Sequence, residues 1–106
     1  MGDAGSEQGA LRDLGELMAS GGWRFLPGPP NAVVVIRAWP DGSVDTLAVR
    51  GESEALAERT NAIGHPVWRR VGALADIITE LRGLPTPDAP DAPRLVLPRD
   101  SADRHL

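Results

Sequence analysis

The two histidines are the first residues to test for chemistry, and their positions argue against it. His65 lies between Gly64 and Pro66, in what reads as a connection, and His105 is the penultimate residue. Zinc sites gather several His and Cys ligands at short spacing. This chain has no cysteine, and no second histidine stands near either one. A histidine base also needs an orienting acid, which the spacing around His65 does not supply. No metal ligands are assigned. The serines, Ser6, Ser20, Ser43, Ser53 and Ser101, fall in no nucleophile-elbow pattern. Ser43 reads as a turn residue and Ser53 as a helix cap. Glu52, Glu54 and Glu58 read as the solvated face of a helix rather than an acid–base pair. A phosphate loop needs Gly-Lys-Ser/Thr after its glycines, and this chain contains no lysine. The sequence predicts no catalytic residue and no cofactor, so an enzyme is the less expected reading.

Tryptophan and arginine remain. Trp23, Trp39 and Trp68 make up three of the four aromatic residues, each on or beside an expected strand. One reading is core filling, with each indole N–H reaching a backbone acceptor. The other is an exposed patch, since tryptophan and arginine are enriched in binding hot spots. Arg37 and Trp39 would join Trp68, Arg69 and Arg70 in such a surface if both strands project the same way. Paired arginines suit acidic peptide segments. Nucleic acid is not expected, because a net charge of −4 and a pI near 5.0 lack the basic footprint it requires.

Length and composition set the frame. A chain of 106 residues argues for one domain. With 42% hydrophobic and 25% charged residues it has globular proportions, which excludes wholesale disorder. No run approaches the ~20 apolar residues of a membrane span, and Met1 to Glu7 lack the basic start and apolar run of a signal peptide. A cytoplasmic location is the default. The bias towards Arg, Ala, Gly and Pro resembles that of arginine- and alanine-rich bacterial proteomes, and no diagnostic motif of a named family appears.

Several elements must position these residues. Residues 1–8 are small and polar and are expected to be disordered. From Gly9 to Ser20, Leu11, Leu14, Leu17 and Met18 fall at helical spacing, and Gly21-Gly22 stops the helix. Trp23-Arg24-Phe25-Leu26 reads as a short strand before Pro27-Gly28-Pro29-Pro30. Ala32 to Trp39 is the clearest strand, rich in β-branched residues. Pro40-Asp41-Gly42 then has the chemistry of a hairpin loop with a glycine bulge, returning through Val44 to Arg50. Pairing Trp39 with Ser43 sets Arg37 opposite Asp45, Val35 opposite Leu47 and Val33 opposite Val49; a one-residue slip would lose all three matches.

Beyond the hairpin, Ser53 to Asn61 reads as a short helix with Ser53 as N-cap, Gly64 past its end, and Leu56 and Ile63 as inward anchors. Val67-Trp68-Arg69-Arg70-Val71-Gly72 reads as a strand, with one helix from Val67 to Arg82 as its competitor. Leu74, Ile77, Ile78 and Leu81 form a helical stripe that closes at Gly83. Residues 85–106 are a proline-rich arm and tail, in which Arg94 to Leu97 is apolar enough to dock, as an edge strand for example.

The expectation is an α+β domain over residues 9–84, ordered α-β-β-β-α-β-α. A three- to four-stranded antiparallel sheet is packed by amphipathic helices, and a proline-rich C-terminal arm follows. Neither face of the central hairpin is clearly polar, so the faces either are covered by helices on both sides or leave one side for a partner. The leading function is a non-enzymatic protein-interaction module (adaptor, regulator or small subunit), with a second copy of the chain as one candidate partner. The alternative is a small-ligand pocket or minor enzyme between sheet and helices, using Trp68, Arg69 and His65.

Overall fold

The hairpin around Pro40-Asp41-Gly42 forms as its residues dictate. In the computed structural model, which describes residues 12–28 and 30–98, Trp39 and Ser43 close the loop with a 2.8 Å backbone bond. The Asp41 carboxylate accepts from the Ser43 N–H at 2.8 Å, and Gly42 sits at φ +93°. The strands on either side, β2 (Val33–Ala38) and β3 (Val44–Gly51), pair in the expected register, with Arg37 opposite Asp45 and Val35 opposite Leu47.

Three further strands extend the ribbon: β1 (Trp23–Leu26), β4 (Glu54–Thr60) and β5 (Pro66–Gly72). All five pair antiparallel, each with its sequence neighbour, in the order β1-β2-β3-β4-β5. Helix α1, over residues 12–19, precedes the sheet, and helix α2 (Leu74–Gly83) follows it. The α+β class is as expected. Residues 1–11 and 99–106 lie outside the described residues, and with them the expected disordered start, the first turn of the first helix and the end of the tail.

The sheet has five strands, not three or four, because Ser53–Asn61 is not a helix. Glu-Ala-Leu-Ala-Glu-Arg has high helix propensity. Here β3 and β5 offer it a ladder on both edges, and tertiary pairing overrides propensity. The segment alternates with period two: Ala55, Ala57 and Arg59 are buried, while Glu54, Leu56, Glu58 and Thr60 face the other way. Leu56 is therefore partly exposed on the outer face, and Ile63, at 76% exposure, sits in a turn instead of anchoring a core. That turn repeats the logic of the first one. The Asn61 side-chain oxygen accepts from the N–H groups of Ile63 and His65, and Gly64 takes φ +86°. Ser53 belongs to the tight turn between β3 and β4, whose Glu52 carbonyl accepts from the Leu74 N–H at 2.8 Å and so fixes the start of α2.

Both helices pack on one face of the sheet. Leu17 of α1 and Leu74, Ile77, Ile78 and Leu81 of α2 join Trp23, Val35, Leu47, Ala55, Ala57 and Trp68 in one buried cluster. The small residues of β4 let the helices approach the sheet closely. In β5 the register shifts between Pro66 and Trp68, and this bulge lets the consecutive residues Val67 and Trp68 both be buried. The proline-rich segment does not add a strand. It turns at residues 86–92, buries Ala92, and gives one backbone bond to the sheet, from the Leu97 N–H to the Pro66 carbonyl at 2.8 Å.

Candidate functional site

Register places five named side chains in one row across the helix-covered face. Trp23 pairs with Arg37, Arg37 with Asp45, Asp45 with Arg59, and Arg59 with Trp68, one residue from each strand. Asp45 and Arg59, at the centre, are each 1% exposed. Arg59 donates from Nε to Asp45 Oδ1 at 2.6 Å and from Nη2 to Oδ2 at 3.0 Å, a two-pronged bond that suits a planar guanidinium. Oδ2 also accepts from Arg37 Nη2 at 3.2 Å and from the Trp39 indole N–H at 2.9 Å. The remaining Arg59 nitrogen, Nη1, donates to the Pro85 carbonyl at 2.6 Å and ties the start of the arm to the row.

Tryptophan rings flank the cations. The Arg37 guanidinium carbon lies 4.7 Å from the Trp23 ring centre and 4.5 Å from that of Trp39, and Arg59 lies 5.6 Å from Trp39. Such contacts favour a cation where water is excluded. Sequence reasoning paired Arg37 with Asp45 but missed Arg59, because the segment carrying it was read as a helix. The one available signal was an arginine two residues after Ala57 in an alternating run.

The five residues proposed from sequence as one surface divide between the two faces. Arg37 and Trp39 meet at the row just described. Trp68 is buried at the far end of that row, and Arg70, on the same face, stacks over it at 5.2 Å and pairs with Glu80 of α2 at 2.8 Å. Arg69 lies on the opposite face and donates from Nε to Glu58 at 3.0 Å. Trp68, Arg69 and His65 do not converge either: the first two project to opposite faces and His65 is exposed in the turn. Among the described residues no group of three or more His, Asp or Glu side chains is placed to hold a metal.

Among the described residues, that opposite face carries no helix. Val34, Ile36 and Ala38 of β2, Val44 and Ala48 of β3, and Leu56 of β4 spread across it, each exposed or half-buried. Val71 of β5, 72% exposed, extends it at one edge and Leu26 of β1 at the other. Charges sit around this apolar centre: Arg69 with Glu58, Arg50 with Glu54 at 3.9 Å, and the exposed Arg24 of β1, opposite Ile36.

Compared with family models, with curated proteins and with solved structures, the chain matches none. No helix among the described residues is long and apolar enough to cross a membrane.

Proposed function

We propose that the chain is a small non-enzymatic protein-interaction module that docks through the helix-free face of its sheet. The observation that carries this reading is the placement of both helices on one face, which leaves Val34, Ile36, Val44, Ala48 and Leu56 without cover among the described residues. A contiguous apolar patch on a small soluble domain marks an interaction site, where scattered single residues would not. Its anatomy agrees: an apolar centre with a charged rim is the arrangement of protein interfaces. Two of the rim cations are paired on the face itself, Arg69 with Glu58 and Arg50 with Glu54, while Arg24, opposite Ile36, is left for an acidic group of the partner. A second copy of the chain meets these requirements as a partner.

Light scattering coupled to size exclusion tests the reading. The wild-type chain is expected to self-associate with rising concentration, and Ile36→Glu to prevent this without altering the circular dichroism spectrum. A wild-type chain that stays monomeric at about 1 mM, where even weak association of about −4 kcal/mol would register, and that also fails to bind an apolar dye at this face, overturns the proposal.

A further inference from the structure

The row of charged side chains does not balance. Two buried or mostly buried guanidiniums, Arg37 and Arg59, share the single carboxylate of Asp45, which leaves one positive charge over. Asp45 accepts four hydrogen bonds in all, three on Oδ2 and one on Oδ1, about the number a carboxylate can take. Arg37 gives it only one of these bonds, and the Arg37 Nε is buried with no acceptor among the described residues. The indole N–H of Trp23, whose ring lies against Arg37, is buried without an acceptor too. Buried donors left unpaired are uncommon and ask for an explanation. This corner carries one positive charge in excess, while the two unpaired donor atoms are themselves buried and out of a ligand's reach.

Arg37 also lines a cleft. Where the C-terminal ends of α1 and α2 meet the hairpin, a cavity of about 290 Å³ opens between sheet and helices. Among the described residues its polar wall is formed by Arg37, Arg82, Ser20 and Thr86, with no acidic side chain in the lining. The Ser20 hydroxyl already donates to the Leu17 carbonyl at 2.6 Å and the Thr86 hydroxyl to Asp88 at 2.8 Å, so the two arginines are the donors left for a ligand. Arg82 bonds Glu16 at 3.2 Å, with both side chains about half exposed, a contact that solvent weakens and a ligand can displace. The rest of the lining is apolar: Leu17, Leu81, Leu84 and the ring of Trp39. The C-terminal ends of the two helices offset part of this positive charge, although the carbonyls of Leu17, Met18 and Leu81 already accept from capping N–H groups.

We infer that this cleft binds a small monocarboxylate with an apolar body, its carboxylate on Arg37 and Arg82 and its body against Leu17, Leu81 and Trp39. One surplus positive charge matches one carboxylate, and the volume lies at the small end of the range for ligand pockets. The site is separate from the outer sheet face, so each assignment stands or falls independently.

Phenylacetate is the probe, followed through the indole N–H signals of the three tryptophans in nitrogen-15-labelled protein. Saturable movement of the Trp39 signal is expected, with the Trp68 signal, at the far end of the row, unmoved. Phenylacetamide, which keeps the ring and lacks the charge, is expected to bind at least tenfold more weakly, as is inorganic phosphate, which has charge without the ring. Arg82→Gln, at an exposed position, is expected to weaken phenylacetate about tenfold, the worth of a charge-assisted hydrogen bond. Arg37→Lys, which keeps the charge, is expected to bind measurably and more weakly. The inference is overturned by any of four results: no saturation up to tens of millimolar phenylacetate, equal binding of phenylacetamide, equal binding of phosphate, or an Arg82→Gln chain that binds as wild type.

Discussion

Arg59 holds Asp45 by both prongs of its guanidinium, at 2.6 and 3.0 Å, at positions where neither side chain has more than 1% of its surface in water. Removing two charges from water costs several kcal/mol per ion, and close pairing with full hydrogen bonding is what offsets it. The pair bridges β3 and β4 fourteen residues apart in sequence, and Arg59 also reaches Pro85, at the start of the arm. Sliding β4 by one residue would turn Arg59 to the outer face and leave Asp45 with Arg37 and Trp39 alone.

Breaking this pair from one side is therefore expected to be severe. Asp45→Ala leaves two guanidiniums without their carboxylate and should cost about 3–5 kcal/mol in urea unfolding. The double change Asp45→Leu with Arg59→Met removes both charges of the pair but leaves Arg37 and the Trp39 indole without their acceptor, so it should recover only part of that loss. A double variant no more stable than Asp45→Ala would place the loss with Arg37 and Trp39 rather than with Arg59.

The two turn glycines are expected to differ. Both Gly42 and Gly64 have positive φ, so alanine at either costs about 1–2 kcal/mol in backbone strain. At Gly42 the added Cβ would also lie 3.0 Å from the Ala62 Cβ of the neighbouring turn, while at Gly64 it meets nothing within 4 Å. Gly42→Ala should thus destabilise more than Gly64→Ala in thermal unfolding, and equal losses would mean that the two turns do not press on each other.

How much of this was legible beforehand depends on where two signals agreed. In the hairpin from Val33 to Val49, β-branched composition, turn chemistry and charge pairing pointed the same way, and the register followed residue by residue. In Glu54–Thr60 they conflicted. Propensity favoured a helix, and the alternation of Ala55, Ala57 and Arg59 is faint because alanine reads as helix former and core filler alike. What decides the segment is its two neighbouring strands, a long-range fact that no local window contains. The same conflict hid Arg59, and with it the centre of the row. Arg37 and Trp39 were visible as residues of interest, but the cleft beside them needs the ends of both helices, which sequence spacing does not bring together.

The strand assignment of β4 makes its own prediction. Ala57 is fully buried beneath the helices, while Leu56 is partly exposed on the other face. Leu56→Thr should change stability by less than about 0.5 kcal/mol, as a surface substitution does. Ala57→Leu should cost about 1–3 kcal/mol through overpacking. A helix at this position would reverse the order, since Leu56 would then be its core anchor.

The arm offers a contrast within three residues. The Leu97 N–H donates to the Pro66 carbonyl at 2.8 Å, whereas Leu95 is 87% exposed and Val96 51% exposed. Hydrogen exchange should therefore show Leu97 protected and Leu95 and Val96 exchanging close to the rate of a free chain. Pro85 anchors the other end of this segment by accepting from Arg59, so Arg59→Met should lower the protection of Leu97 along with overall stability. If Leu97 keeps full protection in that variant, the arm is held by its own bond to Pro66 and the burial of Ala92, and not by the charged row. If Leu97 exchanges freely in the wild-type chain, the arm is not docked in solution at all.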